Sequence, residues 1–437
     1  MKSAGEMTNH RPWPSRLPFY YGWINVLVAA VAMTATLPGR THGLGLVTEP
    51  LLADLQVDRV TFAHINLIAS LIGAAFCLPV GWMIDRWGVR MALATVTAAL
   101  GVSVLAMGEA TGWMSLLATL ILVRGFGQSA LSVVSMAAIG KWFSRRLGLA
   151  MGAFAVLLTF GFIASVLGMG EAVKEHGWRP AWQGVGYMLL AIVPLFWLFA
   201  RSTPESCGVA PDAPDVPTSP AEHGAADFTF GQALATPAFW VLVLGSSVFN
   251  LVWSGVTLFN ESMLAERDLD QKIAVEIMAI LTGIGLLANL VGGALASRTR
   301  VVKLLGIGLV LLAGALAMFP TIATPAGARV YAALIGLSGG LVTVVFFAAF
   351  GHLFGRARLG GIQGAAQFAT VLASALGPEL MAESQALTGS YAPMFFVLAA
   401  VTGGLALLAL VVPLPRTPAA GTASAEVPEQ KAVGSMS

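Results

Sequence analysis

Long apolar runs alternate with short polar segments along most of the chain. A helix needs about 20 apolar residues to cross a bilayer, and twelve runs approach that length. In the first half they are Tyr20–Gly43, Thr61–Met83, Met91–Met107, Trp113–Ile139, Leu147–Met169 and Pro180–Ala200. In the second half they are Pro237–Phe259, Ile273–Ala296, Leu304–Thr321, Arg329–Leu353, Leu359–Met381 and Tyr391–Val412. The pattern predicts an all-α polytopic membrane protein with twelve transmembrane helices.

Six runs lie on each side of a segment that is rich in Pro, Asp and Glu and has no apolar periodicity. Such a segment is typical of a linker, and equal halves around a linker are typical of two parallel repeats. We therefore predict two pseudo-symmetric six-helix bundles, 20–200 and 237–412, joined by a linker at 201–236. Polar tails at 1–19 and 413–437 complete the chain.

The distribution of Lys and Arg predicts the orientation, because these residues concentrate in cytoplasmic loops. Sixteen of them fall on the side of the N-terminus and six in the loops of the other side. The remaining two, Arg40 and Arg124, lie within apolar runs. We expect a multi-pass protein of the cell membrane with both termini and the linker in the cytoplasm.

Composition excludes several other classes of protein. The chain is 57% hydrophobic and 11% charged, whereas soluble domains carry about 25% charged residues, and its mean hydropathy is +0.80. Its surface must therefore meet a lipid bilayer. A net charge of +2 gives no reason to expect nucleic-acid binding, and Cys77 and Cys207 form no metal-ligand spacing. With no segment large enough for a catalytic domain and no nucleotide-binding motif, we expect no enzyme, no cofactor and no metal.

The loop between the second and third helices reads Gly81-Trp-Met-Ile-Asp85-Arg86-Trp-Gly88-Val-Arg90. It resembles the loop signature of the major facilitator superfamily, G-x-x-x-D-R-x-G-x-R, which implies a transporter that works by alternating access. The glycines permit a tight turn and close approach of helices, and an acid here can pair with basic groups across the bundle interface. The predicted gating loop consists of Gly81, Asp85, Arg86, Gly88 and Arg90. The alternative is an ordinary cytoplasmic loop with an incidental Asp.

The fourth helix contains Arg124-Gly-Phe-Gly127-Gln128, which resembles the fourth-helix arginine motif of the same superfamily. A charged residue inside a membrane helix usually faces a partner or a wet cavity. We therefore expect Arg124 to point into the bundle. A conformational role and a role in proton or substrate handling both remain open.

Four further segments, 19–23, 201–212, 233–240 and 354–364, resemble the bacterial oxalate/formate antiporter and monocarboxylate transporter branch. They occur in the same order along nearly the whole chain. The resemblance implies a secondary transporter of a small organic anion, driven by proton coupling or by exchange. We expect its partners to be that substrate, with or without protons, and the lipid bilayer, and we expect a monomer.

The first helix ends in Pro38-Gly39-Arg40-Thr41-His42. By the resemblance to monocarboxylate transporters, Arg40 is the candidate cation for a carboxylate, which a guanidinium grips through two parallel hydrogen bonds. In a straight helix Arg40 would lie about 25 Å from Trp23, near the outer surface, where snorkelling would explain it. A longer, tilted helix that continues to Leu55 would leave it deeper. His42 is a further candidate for substrate binding; it could titrate during transport or be a simple polar contact.

The branch commonly places an arginine in its eighth helix, and Ile273–Ala296 contains none. A substrate with one anionic group and a second polar pole would suit Arg40 and Asn289 better than a simple oxalate-like acid. On the seventh helix, Asn250 and Trp253 share one face at i, i+3 spacing. Substrate contact and packing explain this pair about equally well.

Glu261, at the end of the seventh helix, is the candidate proton carrier, because a desolvated carboxylate has a raised pKa. A solvated helix end is an equally good explanation. Two other functions compete with organic-anion transport: export of amphipathic, drug-like compounds by the same fold, and a membrane sensor that transports nothing.

Overall fold

A computed structural model of the protein describes residues 18–143, 146–210, 212, 227–296 and 299–415. Most of the two predicted tails and the middle of the predicted linker lie outside the described residues. The side chain of His42 lies outside them as well.

In the described residues, ten helices are long and apolar enough to span a membrane. One of them, Thr61–Gly108, is two spans that meet at Gly88, and the shorter apolar helix Gly22–Thr34 brings the number to twelve. The predicted all-α fold with two six-helix bundles is therefore confirmed. The first bundle consists of α1 (Gly22–Thr34), α2 (59–87, interrupted by a turn at 75–76), α3 (89–108), α4 (Trp113–Gly140), α5 (Leu147–His176) and α6 (Trp178–Phe199). The second consists of α7 (Pro237–Ala265), α8 (Gln271–Ala296), α9 (Val301–Met318), α10 (Pro325–Phe354), α11 (Leu359–Thr388) and α12 (Ala392–Val411).

The junction of α2 and α3 is a single residue, Gly88, with φ +82° and ψ 165°. A side chain at this left-handed φ would be strained, and a Cβ would also overlap the hydroxyl of Ser202. The chain therefore turns between the two helices with almost no loop.

The first helix departs from the prediction of a continuous run to Gly43 and beyond. α1 ends at Thr34, a 3₁₀ turn covers Leu37–Gly39, and Arg40 is extended at φ −101° and ψ 154°. Two short helices, Thr41–Gly45 and Thr48–Leu55, follow. The expectation of one longer, tilted helix is therefore wrong.

The cause of this break is close packing of backbone on backbone. A Cβ on Gly39 would lie 2.6 Å from the carbonyl oxygen of Val123 and 2.7 Å from the amide nitrogen of Gln128. Pro38 precedes this contact within the 3₁₀ turn, where its fixed φ is compatible with the tighter geometry. On the facing side, α4 widens into a π-helical segment, Arg124–Leu131, a feature that is frequent at functional sites.

Several helices extend beyond the apolar runs that predicted them. α5 reaches His176, α7 reaches Ala265 and α11 reaches Thr388. The extra turns carry polar residues, because helical hydrogen bonds continue where the helix leaves the hydrocarbon region. Hydropathy locates the part of a helix that lies in lipid and not its full length.

The two bundles meet where α2 packs on α11 and α5 packs on α8. At the first contact, a Cβ on Gly81 would lie 2.5 Å from the carbonyl oxygen of Gly360. We call the membrane face that carries Gly81, Asp85 and Lys141 the Asp85 face. The bundles touch backbone to backbone on this face, and a cavity lies between them deeper in the protein.

Candidate functional site

The cavity between the bundles has a volume of about 340 Å³ and is lined by residues of both. Four of the residues predicted from the sequence line it together: Arg40, Asn250, Trp253 and Asn289. They come from α7, α8 and the broken end of the first helix. The fold therefore collects into one cavity residues that lie up to about 250 positions apart in the sequence.

The Arg40 side chain runs back along the first helix toward the membrane interior. Its Nε donates to Thr36 Oγ1 at 2.7 Å, and its Nη2 donates to Ser132 Oγ at 3.0 Å and contacts Met33 Sδ at 3.2 Å. Thr36 and Met33 precede Arg40 by four and seven positions, and Ser132 belongs to α4. The guanidinium thus faces the cavity and does not snorkel outward.

The charge of Arg40 has no counterion among the described residues. Its hydrogen-bond partners are hydroxyls and a thioether, and its guanidinium lies 5.4 Å from the centre of the Phe162 ring. Nη1 donates no hydrogen bond to a described residue. A cation in a site with low dielectric constant favours the binding of an anion.

Arg124 lies outside the cavity and is 2% exposed. Its Nη1 donates to the carbonyl of Gly39 at 3.1 Å and to Gln128 Oε1 at 2.8 Å, and its Nη2 donates to the side-chain oxygen of Asn66. These contacts join the broken first helix, α2 and α4. The geometry is that of a fixed structural donor.

The opposite wall of the cavity comes from the second bundle. Asn250 Nδ2 donates to the carbonyl of Ser246 at 2.9 Å, and Trp253 lies 5.9 Å from Phe249 between ring centres. The Oδ1 atom of Asn289 is buried without a hydrogen-bond partner in the described part of the protein. An unpaired buried amide oxygen is costly, so a hydrogen-bond donor brought to this atom would stabilise the complex.

Sequence reasoning missed several lining residues. Ser132 and Phe162 contact Arg40 from helices far away in the chain, and no local pattern distinguishes them from packing residues. Gln367 and Thr343 also line the cavity. The amide of Gln367 lies in the middle of an apolar run, a signal that could have been used.

Besides Arg124, the sequence offers two residues that could titrate during transport, Glu261 and His42. Glu261 is exposed near the end of α7 and does not line the cavity. The backbone of His42 is in the short helix Thr41–Gly45, but its side chain lies outside the described residues. Their roles stay predictions.

Asp85 connects the two bundles, but not in the way we expected. Its cationic partner is Lys141 of the same bundle, at 3.1 Å, and both side chains are almost fully buried. Across the interface it accepts hydrogen bonds from the backbone amides of Gly360 (3.0 Å) and Gly361 (2.8 Å) at the start of α11. A carboxylate stabilises the exposed N–H groups and positive dipole of a helix N-terminus.

The other predicted gating residues lie beside this contact. The exposed Arg86 stacks on Trp82, 5.4 Å from the ring centre, and Arg90 stacks on Trp197 at 4.4 Å and donates to its carbonyl at 2.6 Å. Trp and Arg side chains are common at the membrane–water boundary. These contacts anchor the loop at that level.

The described part of the linker packs on the same face. Arg356, in the segment between α10 and α11, donates to Glu205 Oε1 at 2.8 Å and to the carbonyl of Lys141 at 2.9 Å. Asp227 accepts from the backbone amides of Arg356 and Ala357, each at 2.9 Å. Burial raises the pKa of the Glu205 carboxyl, but hydrogen bonds from the backbone and from Arg356 lower it by more, so its net pKa lies below the ordinary range.

Twelve helices in two bundles around a central cavity define a membrane transporter. Residues 20–378 match the Major Facilitator Superfamily, and the chain belongs to this family. Members of this family are membrane transporters of small molecules.

Individual relatives are more distant. The chain is 28% identical over 406 residues to an uncharacterized 38 kDa protein of Thermoproteus tenax, covering 88% of this chain and 92% of that one. It is 25% identical over 303 residues to an oxalate:formate antiporter of Oxalobacter formigenes, covering 68% and 69%. The fold resembles the crystal structure of the transporter FucP in the outward conformation, with a TM-score of 0.65, 13% identity and coverage of 89% and 97%.

Proposed function

We propose that the protein is a secondary transporter that moves a small, monocarboxylate-like organic anion across the cell membrane by alternating access. The observation that carries this proposal is the guanidinium of Arg40, which faces the cavity without a counterion among the described residues. A carboxylate would supply the missing charge through two parallel hydrogen bonds. The similarity to an oxalate:formate antiporter supports the same class of substrate.

The driving force in this proposal is exchange or proton coupling. The described lining of the cavity contains no Asp or Glu, which favours exchange of one anion for another. Proton coupling would require a group such as Glu261 or His42 to titrate during the cycle. Both termini lie in the cytoplasm in this proposal, as the distribution of Lys and Arg predicts.

Export of drug-like compounds is the second candidate. The aromatic side chains of the cavity favour it, namely Phe162, Phe249, Trp253, Phe346 and Phe347. A carrier of cationic drugs would gain from acidic residues in the cavity, and the only charged residue in its described lining is a cation. Organic-anion transport is therefore the better supported function.

The test uses purified protein in proteoliposomes loaded with one carboxylate and challenged with a panel of labelled carboxylates. We expect Arg40→Gln to weaken the apparent affinity by about 10- to 100-fold, because a hydrogen bond to a charged group contributes about 1.5–3 kcal/mol. Arg59→Gln is the matched control, since Arg59 is exposed and pairs only with the exposed Glu49 among the described residues. Equal rates in wild type and Arg40→Gln for every carboxylate carried would refute the proposal.

The same vesicles test the driving force. Uptake against a preloaded anion without a pH gradient supports exchange, whereas uptake that requires an imposed pH gradient supports proton coupling. In the second case, Glu261→Gln is expected to abolish the response to the gradient.

A further inference from the structure

The cavity has a single charged end. Among the described residues that line it, Arg40 is the only one that carries a charge at neutral pH. Apart from the indole of Trp253, every other polar side chain in this lining is an amide or a hydroxyl. The lining therefore offers one cation, at the Arg40 end, and none at the other end; the second buried arginine, Arg124, lies beside the Arg40 end and outside the lining.

The far end of the cavity presents uncharged amides. The Oδ1 atom of Asn289 is buried without a partner among the described residues, and the side chain of Gln367 makes no hydrogen bond to a described residue. Both line the cavity. A ligand group that donates to one amide and accepts from the other would satisfy them, and a buried polar group left unpaired costs about 1–3 kcal/mol.

These two ends are well separated along the membrane normal. Both ends contact helix α5, so positions along this helix measure their separation. Arg40 packs on Phe162, and the backbone of Asn289 lies beside Gly152. Phe162 and Gly152 are about 15 Å apart along the helix, at about 1.5 Å per residue. The amide of Asn289 is on the side of the Asp85 face, because the next turn of α8 brings Gly293 against Gly148, near the start of α5.

The walls between the two ends are apolar and aromatic. They include Leu158 of the first bundle and Phe249, Trp253, Phe346 and Phe347 of the second. A volume of about 340 Å³ is within the range of sites that bury whole organic ligands. An acid of one or two carbons would leave these aromatic walls in contact with water, and a larger apolar body would cover them.

From these observations we infer that the substrate is a monoanion whose carboxylate is joined by an apolar or aromatic body to an uncharged hydrogen-bonding group. The carboxylate binds Arg40 and the uncharged group binds Asn289 and Gln367. A dianion is rejected, because its second charge would be desolvated against amides without a cation. This inference rests on the proposed function and narrows its substrate class.

A matched series of three probes tests it in proteoliposomes: phenylacetate, 4-hydroxyphenylacetate and 4-carboxyphenylacetate. They share the carboxylate and the ring and differ only in the group at the far end. We expect 4-hydroxyphenylacetate to compete for uptake about tenfold better than phenylacetate. We expect 4-carboxyphenylacetate to compete at least tenfold worse than phenylacetate.

Three variants test which residues bind the uncharged group at the far end of the cavity. Asn289→Leu and Gln367→Leu should each reduce the preference for 4-hydroxyphenylacetate over phenylacetate. Asn289→Arg should shift the preference toward 4-carboxyphenylacetate. Gln385→Leu is the matched control, because this amide is exposed near the end of α11 and does not line the cavity.

The outcomes separate the inference from the proposed function. If 4-carboxyphenylacetate competes as well as the hydroxyl compound while transport still depends on Arg40, the inference is wrong and the proposed function stands. The inference is also wrong, and the proposed function again stands, if Asn289→Leu and Gln367→Leu leave the order of the probes unchanged. If no carboxylate is carried, or if Arg40→Gln leaves the transport of every carboxylate unchanged, both the proposed function and the inference are wrong.

Discussion

Two arginines lie within the membrane-spanning part of the first bundle, and their hydrogen bonds differ. Arg124 donates to the oxygen atoms of Gly39, Asn66 and Gln128, which lie on the broken first helix, on α2 and on α4 itself. Each arginine keeps one nitrogen without a described partner, Nε of Arg124 and Nη1 of Arg40, but Arg40 donates to two hydroxyls and lines the cavity, whereas Arg124 does not line it. We therefore expect Arg124 to hold the broken first helix in place and Arg40 to meet the substrate.

Substitution of Arg124 tests this distinction. Arg124→Gln should lower the thermal stability of the purified protein and raise the apparent KM, because it leaves buried acceptors unpaired at about 1–3 kcal/mol each. Arg124→Lys should fail in the same way, since a single ammonium cannot reach these separated acceptors as a planar guanidinium does. The measurements are thermal unfolding in detergent and the KM for the transported anion.

The lysine variant decides between a geometric and an electrostatic role. If Arg124→Lys keeps wild-type stability and KM, the charge alone matters and the structural role is excluded. Arg59→Gln, at an exposed ion pair with side chains 79% and 69% accessible, is the control and should change stability by less than about 1 kcal/mol.

The sequence identified Arg40 as a candidate anion-binding residue but did not fix the direction of its side chain. A basic residue after Pro38-Gly39 was visible as a motif, whereas its partners Ser132 and Phe162 are about 90 and 120 residues away. Snorkelling and cavity binding therefore remained open until the tertiary contacts were known. Asn250 and Asn289 were easier to find, because amides are rare in apolar runs and usually face the interior of a bundle.

At the scale of elements, the break in the first helix is what turns Arg40 inward. The break depends on the contact of Gly39 with the backbone of α4, where that helix adopts its π-helical segment. A continuous helix would carry the residues after Thr34 past this contact. The two irregular segments thus fit together and place the guanidinium beside Ser132.

We predict that Gly39→Ala disrupts this fit. The added methyl would lie 2.6 Å from the Val123 carbonyl oxygen and 2.7 Å from the Gln128 amide nitrogen, and overpacking of this kind costs about 1–3 kcal/mol. Thermal unfolding should show the loss, and the KM should rise because Arg40 moves with its neighbour. Gly45→Ala is the control, since a Cβ there meets nothing within 4 Å. Equal stability of the two variants would contradict the role of the Gly39 contact.

Hydropathy was sufficient for the number of helices and insufficient for their irregular parts. The apolar runs predicted twelve spans because burial in lipid requires about 20 apolar residues each. The break after Thr34 and the π-helical segment in α4 arise from contacts between helices, and such contacts leave no periodic signal. The turn at Gly88 was indicated, because the loop motif places a glycine where the chain has to reverse.

At the scale of the whole molecule, the described hydrogen bonds between the two bundles all lie on one membrane face. In the part of the chain that the structure describes, the hydrogen bonds between them run from Gly360 and Gly361 to Asp85 and from Arg356 to Lys141. All of them lie on the Asp85 face. The structure therefore represents a state that is closed on this face, and alternating access requires these contacts to separate.

The closest approach within this closure, between Gly81 and Gly360, provides a test of alternating access. A Cβ on Gly360 would lie 2.5 Å from the carbonyl oxygen of Gly81, so Gly360→Ala should prevent full closure and favour the state that is open on the Asp85 face. Gly404→Ala is the matched control, because a Cβ there meets nothing within 4 Å.

Spin labels can measure this shift in a background with Cys77 and Cys207 replaced by Ala. One pair, at Arg86 and Arg358, reports the Asp85 face, and another, at Thr111 and Gln385, reports the opposite face; all four positions are exposed. In Gly360→Ala the first distance should lengthen and the second should shorten, because rigid bundles that rock about a central cavity open one face as they close the other. A change on one face alone would contradict rocking of rigid bundles, and unchanged distances on both faces would show that the Gly81–Gly360 contact does not control closure.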